Sequence, residues 1–305
     1  MSYNEVRKAG GVIVTEGIPD VHISPSQIST FDTCQMKWFY RYFRKIRISS
    51  GSPKTVLGLS YDDTLTTNFE QKIVTQEDFQ KDELIDVYDT AFSNRKDDIE
   101  WNSPMERSET KETGRKIIER VATGIETVRI DAQGRERNLG FTKPLEKMNP
   151  VAVQKKREVL YENAPWVMVT ISDYEETEEG EDIIVDHKTT AKSRHDAKAE
   201  HIFAMDSYAI AKRYTEGVDK AKRRRIDYAI GLKREPRLVQ IELPPLTPKA
   251  VAHFKQKTAT QFQQMELLRQ GLMKPNTNES HFLCSKTYCE YHAICELENH
   301  TTIKQ

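Results

Sequence analysis

Long apolar runs are missing from this chain, and so are the short signatures of several large protein classes. No stretch of its 305 residues is apolar enough to span a bilayer, and 30% of them are charged at a mean hydropathy of −0.69, which excludes a helical membrane protein. The first residues, MSYNEVRKAGG, carry no apolar core of signal-peptide type. Cysteine is scarce: four residues are too few for a disulfide framework in a chain this long, so a cytoplasmic location is expected. Neither charge sign is in excess, with 46 Lys and Arg against 47 Asp and Glu and a net charge of −1. No global field therefore draws the chain to a polyanion, and any such contact has to come from a local basic groove. The phosphate-loop pattern GxxxxGK[ST] is absent, as are CxxC pairs, internal repeats and low-complexity segments.

What is present centres on Ile183 to Thr190, IIVDHKTT, read with Asp173 upstream. The apolar run Ile183–Val185 predicts a buried strand, and strand alternation places Ile184, Asp186 and Lys188 on one face with His187 on the other. The run from Trp166 to Ile171 predicts a second strand that ends near Asp173. The polar stretch EETEEGED between the two predicts a hairpin turn. Two carboxylates brought together this way suit a hard divalent cation, and a neighbouring ammonium can hold or deprotonate an attacking water. The bland counterpart is a strand that ends in Asp or Lys because it meets solvent.

Elsewhere the signals are structural. Residues 1–22 read as an irregular arm. Ser24-Pro25-Ser26-Gln27 predicts a helix start, followed by Ile28, Phe31, Cys34, Trp38 and Tyr42 along one inward face. Lys37 and Arg41 belong to a basic edge of that helix, which reads as a solvated face or as a phosphate contact. Gly58 precedes a helix carrying Asp62 and Asp63. Residues 76–145 read as a charged helical insertion or cap. A strand near Val151–Val159, a helix over HIFAMDSYAIAKRY, strands in DYAIGL and LVQIELP, and a long helix opened by Thr247-Pro248 complete an α/β pattern. The expected architecture is one domain over 1–305, a mixed central sheet flanked by helices.

Three cysteines, Cys284, Cys289 and Cys295, lie within the segment 280–296, and Cys34 is the fourth. One remote and three clustered thiols make a set of four, which can hold zinc or an iron–sulfur cluster, or can be free core residues. His292 could replace one ligand at a zinc site.

The order SPSQI…C, LG…D, strand-end Asp, DxK and three C-terminal cysteines resembles the iron–sulfur branch of the PD-(D/E)XK nucleases, the RecB-like exonuclease domains of AddB, CRISPR-adaptation nucleases and phage relatives. The resemblance runs from Ser24 to Cys295. It implies a restriction-endonuclease-like core, with Asp173 and Asp186 as catalytic acids and metal ligands and Lys188 as the lysine that orients or activates water. It also implies Asp62, or else Asp63, and the His187 carbonyl in the shell of a Mg²⁺ or Mn²⁺ ion, and Cys34, Cys284, Cys289 and Cys295 around a [4Fe-4S] cluster, with Zn²⁺ the alternative. DNA, single-stranded or with free ends, is the implied substrate, in a bacterial cell or phage-infected host, with Tyr208, Lys37 and Arg41 as candidate contacts. A recombination, helicase or CRISPR-adaptation partner would supply any unwinding. The sequence departs from the family pattern at three points. Asp62 stands where a His is usual after GxxxH, Thr170 replaces a Gly, and Ala204 replaces the Gln of QxxxY. These departures support a rival reading, a non-catalytic iron–sulfur DNA-binding or scaffold protein.

Overall fold

The structure is a computed structural model that describes residues 6–9, 12–15, 22–46, 48, 52–95, 99, 101–160, 167–178, 180–192, 194–217, 220–231 and 235–300. The chain, expected to be one domain, divides into two compact units. One comprises Met1–Gly17, Gly51–Val159 and Thr170–Leu246, the other Ile18–Ser50, Leu160–Val169 and Thr247–Gln305.

The first unit is built on a mixed sheet. Strands β4 (Ile125–Ile130), β5 (Glu136–Thr142), β6 (Pro150–Leu160), β7 (Val167–Glu178), β8 (Glu181–Thr190), β9 (Arg223–Ile230) and β10 (Arg237–Glu242) form it, in the order β7-β8-β9-β10-β4-β5 with β6 also paired to β7. β7 and β8 are antiparallel, β8 and β9 parallel, β9 and β10 antiparallel, and β10 and β4 parallel. The eighth strand, β3 (His22–Ile23), pairs with Val167 and Met168 in the second unit. Ile183, Ile184 and Val185 are all buried, as a central strand covered on both faces requires. The parallel step from β8 to β9 is made through helix α7 (Ala199–Glu216).

Three helices, α3 (Pro53–Thr75), α4 (Lys81–Arg95) and α5 (Pro104–Thr123), join the sheet in one core with Tyr61, Leu65, Phe69, Leu84, Phe92, Ile117, Tyr174 and Val185. Ser52 and Ser103 cap α3 and α5, each followed by a Pro at the first helical position. A Cβ at Gly114 would stand 1.8 Å from Tyr88 Oη, so only glycine lets α4 and α5 approach this closely. Residues 76–145 are not purely helical as expected. After α5 come β4 and β5, whose charged residues Glu126, Arg129, Arg137 and Glu136 hide a strand pattern buried at Ile125, Val128 and Ile130. The expected irregular arm contains a short antiparallel pair, β1 (Val6–Ala9) with β2 (Val12–Thr15).

In the second unit, α1 (Pro25–Thr33) starts at the Ser24 cap but stops at Cys34, which adopts an extended conformation and caps α2 (Gln35–Trp38). A π-helical turn, Phe39–Phe43, follows. This break rephases the helix face. Tyr40, not Tyr42, is buried, and Cys34 is half-exposed instead of lying on an inward stripe. Helices α8 (Pro248–Arg269), capped by Thr247, and α9 (His292–His300) complete the unit.

Candidate active site

β7 does not end near Asp173. It runs on to Glu178, so Asp173 sits mid-strand, one position beyond the paired residues Tyr174 and Val185. The turn shrinks to Glu178–Glu181, and much of the polar stretch is strand. This register brings the expected acids together. The Asp173 carboxylate accepts the His187 N–H at 2.9 Å, and the Lys188 ammonium lies 2.6 Å from Asp186 Oδ2 and 3.8 Å from Asp173 Oδ2. Lys188 also donates to the His187 carbonyl at 3.0 Å. From α3, Asp62 joins the same cavity of about 360 Å³, lined also by Lys54, Gly58, Asp173, His187 and Lys188. Asp63 turns away into a bidentate pair with Arg95 at 2.7 and 3.0 Å. A Cβ at Gly58 would meet Thr189 Oγ1 at 3.1 Å, so this glycine permits the close seat of α3 on β8.

Three carboxylates share one ammonium, and the electrostatics show the imbalance. Burial and then the Asp186 charge raise the Asp173 carboxyl well above the usual range, against the pull of Lys188. Burial pushes Asp62 up to about 6, with Lys188 opposing and Asp186 adding to it. Burial works against the Lys188 cation, but Asp186 and Asp173 outweigh it and hold its pKa above the ordinary lysine value. Asp186 Oδ2 is buried and accepts no well-aligned hydrogen bond. Three carboxylates around a single ammonium leave a surplus of negative charge that suits a divalent cation in this cavity, where Asp62 and Asp173, with Asp186 and the His187 carbonyl beside them, could donate oxygens. Among the described residues no three His, Cys, Asp or Glu side chains are gathered at the spacing of a single ion; here the Lys188 ammonium lies among the acids instead.

The His187 ring points to the opposite side, as alternation predicts. It stacks on Tyr174 at 4.8 Å and packs beside Phe69 and Tyr61, and burial pushes its pKa down to about 4. Tyr208 of α7 faces the acids. Burial and then the charges of Asp186, Asp173 and Asp62 raise its phenol above the ordinary value. Another α7 residue, His201, is within the field of Lys188 and Asp186 and bonds Tyr228 Oη at 2.7 Å. No glutamine stands four residues before Tyr208, but Gln154 of β6 approaches Asp62 Oδ2 at 3.4 Å.

Sequence reasoning missed a buried ionic layer beside these strands. Glu175 is bracketed by Arg157, Lys212 and Ser172, with the Lys212 ammonium at 2.5 Å and the Ser172 hydroxyl donating at 3.0 Å. Arg225 pairs with Asp227 at 2.7 Å and Glu176 at 2.6 Å and donates to Tyr174 Oη. A run such as EET or RRR reads as solvated in one dimension. Only the long-range partner, 37 residues away for Glu175 and Lys212, makes burial affordable.

In the second unit, all four cysteines line one cavity of about 160 Å³ together with Tyr40, Tyr291 and His292. Each is half-exposed and none is in a disulfide. Burial and then the neighbouring Cys34 and Cys289 raise the Cys284 thiol. Lys37 is committed to Glu290 at 2.8 Å, and Arg41 is exposed beside Tyr42.

An α/β sheet that presents a carboxylate pair and a lysine on adjacent antiparallel strands defines the class of metal-dependent nuclease folds. The chain belongs to the PD-(D/E)XK nuclease superfamily, whose sequence profile matches residues 22–296. A solved structure titled "Putative exonuclease" from Eubacterium rectale is 13% identical over 86% of both chains with a TM-score of 0.52, a likeness of fold. The structure titled SSO0001 is 11% identical over 93% of this chain and 88% of its own, with a TM-score of 0.38 that carries no argument. No curated protein matches the sequence. Among the described residues, no helix is long and apolar enough to cross a membrane.

Proposed function

We propose that this chain is a deoxyribonuclease of the iron–sulfur, RecB-like branch of its superfamily, an exonuclease that acts on single-stranded DNA ends. The observation that carries the catalytic part is the convergence of Asp62, Asp173 and Lys188 on one cavity, with Asp186 buried behind it and paired to Lys188. A divalent cation there, Mg²⁺ or Mn²⁺, would supply Lewis acidity toward the phosphate. Asp62, Asp173, Asp186 and the His187 carbonyl would hold it. Lys188, once released from Asp186, is placed to orient the attacking water and to offset charge on the phosphate, and the His187 N–H keeps Asp173 aimed at the cavity. Tyr208 of α7, whose phenol pKa is raised by burial and by the charges of Asp186, Asp173 and Asp62, is the candidate substrate contact within their field.

The second part of the reading is a [4Fe-4S] cluster on Cys34, Cys284, Cys289 and Cys295. Its support is that these four thiols ring a single cavity. One zinc would draw its ligand sulfurs to about 2.3 Å from a common point. Four irons, each taking one thiolate, would use all four.

The test is digestion of end-labelled DNA, single- and double-stranded, linear and circular, with Mg²⁺ and Mn²⁺. Linear single strands are expected to shorten from an end, and Lys188→Ala to slow cleavage by about 10²–10⁴-fold. A wild-type protein that binds these strands and leaves them intact would establish the scaffold reading instead.

A further inference from the structure

A second cavity, of about 430 Å³, adjoins the acidic one and shares Lys54 and Thr189 with it. Its charged lining residues among the described ones are Lys54, Lys192, Arg194 and Lys198, with no acid among them. Most arginines and lysines of this near-neutral chain meet a carboxylate. Among the described residues Lys54, Lys192 and Arg194 form no ion pair and the buried Arg194 Nε has no hydrogen-bond partner; Arg194 lies over the Tyr228 ring at 5.9 Å, and Lys198 pairs with Glu200 at 3.2 Å. Like charges gathered without counter-ions cost free energy in the empty protein, and a bound polyanion offsets that cost.

The backbone adds to the same field. Lys54 lies in the first turn of α3, a helix of 23 residues, and Lys198 immediately precedes α7, whose N-terminus receives no side-chain cap. Two helix N-termini therefore border the cavity, that of α3 capped by Ser52 and that of α7 without a side-chain cap. It opens at Thr189, Thr190 and Gly231, the carboxyl ends of the parallel strands β8 and β9, which is where open α/β sheets take ligands. The inner wall is apolar, from Leu57 and Ile117. Gly231 closes it, because a Cβ there would meet Thr113 Cγ2 at 2.9 Å.

We infer that this cavity is a nucleotide subsite, which holds the phosphates flanking the scissile bond on Lys54, Lys192 and Arg194 and lays the attached sugar and base on Leu57 and Ile117. The volume lies within the range of small-ligand pockets and suits one unstacked nucleotide, not a duplex. The inference rests on the nuclease reading for its meaning, and on the unpaired cations for its evidence. These three are positioning residues, because they touch phosphates next to the one that is cut.

The experiment is binding of a short fluorescein-labelled oligothymidylate in chelator, where no cleavage occurs, across a salt series. Steady-state digestion with Mn²⁺ is measured in parallel. Lys192→Ala/Arg194→Ala is expected to weaken binding about tenfold and to flatten the salt slope by about 1.4, at about 0.7 per lost phosphate contact on a single strand. KM should rise by a similar factor with kcat unchanged. Lys192 is exposed and lines only this cavity, so Lys192→Ala alone, with a slope change of about 0.7, serves as the readout should the Arg194 change disturb folding in a thermal melt. Wild-type cleavage together with variants of unchanged affinity and slope overturns the subsite and leaves the nuclease reading standing. A wild-type protein that cleaves nothing, yet binds with a slope that the variants flatten, does the reverse.

Discussion

Asp62 is a carboxylate of the candidate site whose charge its surroundings disfavour. Its carboxyl holds a proton up to about pH 6, because burial and Asp186 disfavour its charge. In the metal-free protein this raised value contributes stability that is complete below the ordinary carboxylate range and is lost as pH rises through about 6. A cation must displace that proton, so Mn²⁺ is expected to raise the melting temperature by several degrees at pH 7.5 and by almost nothing at pH 5, as a thermal-shift titration reads it. His187 has the opposite sign. Its folded value near 4 lies below that of the free side chain, so its contribution is present above the ordinary histidine range and is lost as pH falls toward 4. His187 Nε2 is buried without a partner, and only the backbone of this residue faces the acids. His187→Phe should keep the stacking on Tyr174, equal or exceed the wild type in stability at pH 7, retain metal binding, and lose part of the acid sensitivity. A Phe variant that no longer takes up Mn²⁺ would show that the imidazole itself is needed.

At the scale of elements, β7, β8, β9 and α7 are joined by charge as well as by apolar contact. Glu175 on β7 holds Arg157 from β6 and Lys212 from α7 at buried sites, and burial against these two cations leaves its carboxyl below the usual range. Its contribution is present above the ordinary carboxylate range and falls away in acid. Glu175→Gln keeps the shape and leaves two buried cations under-matched, which should cost about 3–5 kcal/mol, measured as the urea midpoint. A loss under about 1 kcal/mol would mean that water reaches the layer. The same elements deliver Tyr208 and Lys188 to the acids, so weakening the layer should lower cleavage as well as stability.

For the whole molecule, the thiol set is the longest-range feature. Cys34 and the segment 284–295 stand some 250 residues apart in the sequence, and a group bound to all four would close a chain loop of that length. Protein prepared without oxygen is expected to be brown, with iron and sulfide in equal amounts. Cys34→Ser should bleach it and lower the melting temperature of the residues packed around Tyr40 and Tyr291. A colourless wild type containing stoichiometric zinc would replace the cluster with a single ion.

What could be read in one dimension follows from local rules. The Ser-Pro helix start at 24 and the Thr-Pro start at 247, the alternation around Asp186 and Lys188, and the apolar centre of β8 need only neighbours within a few residues. Contacts between distant segments were decided by the fold alone. It extended β7 past Asp173, set Asp62 on the cavity and paired Asp63 with Arg95. It broke the first helix at Cys34, buried Glu175 and Arg225 by supplying their counter-ions, and left Lys54, Lys192 and Arg194 without any. The reason is physical. The free energy of a charge depends on its surroundings in space, and those surroundings are contributed by residues that sequence order keeps apart.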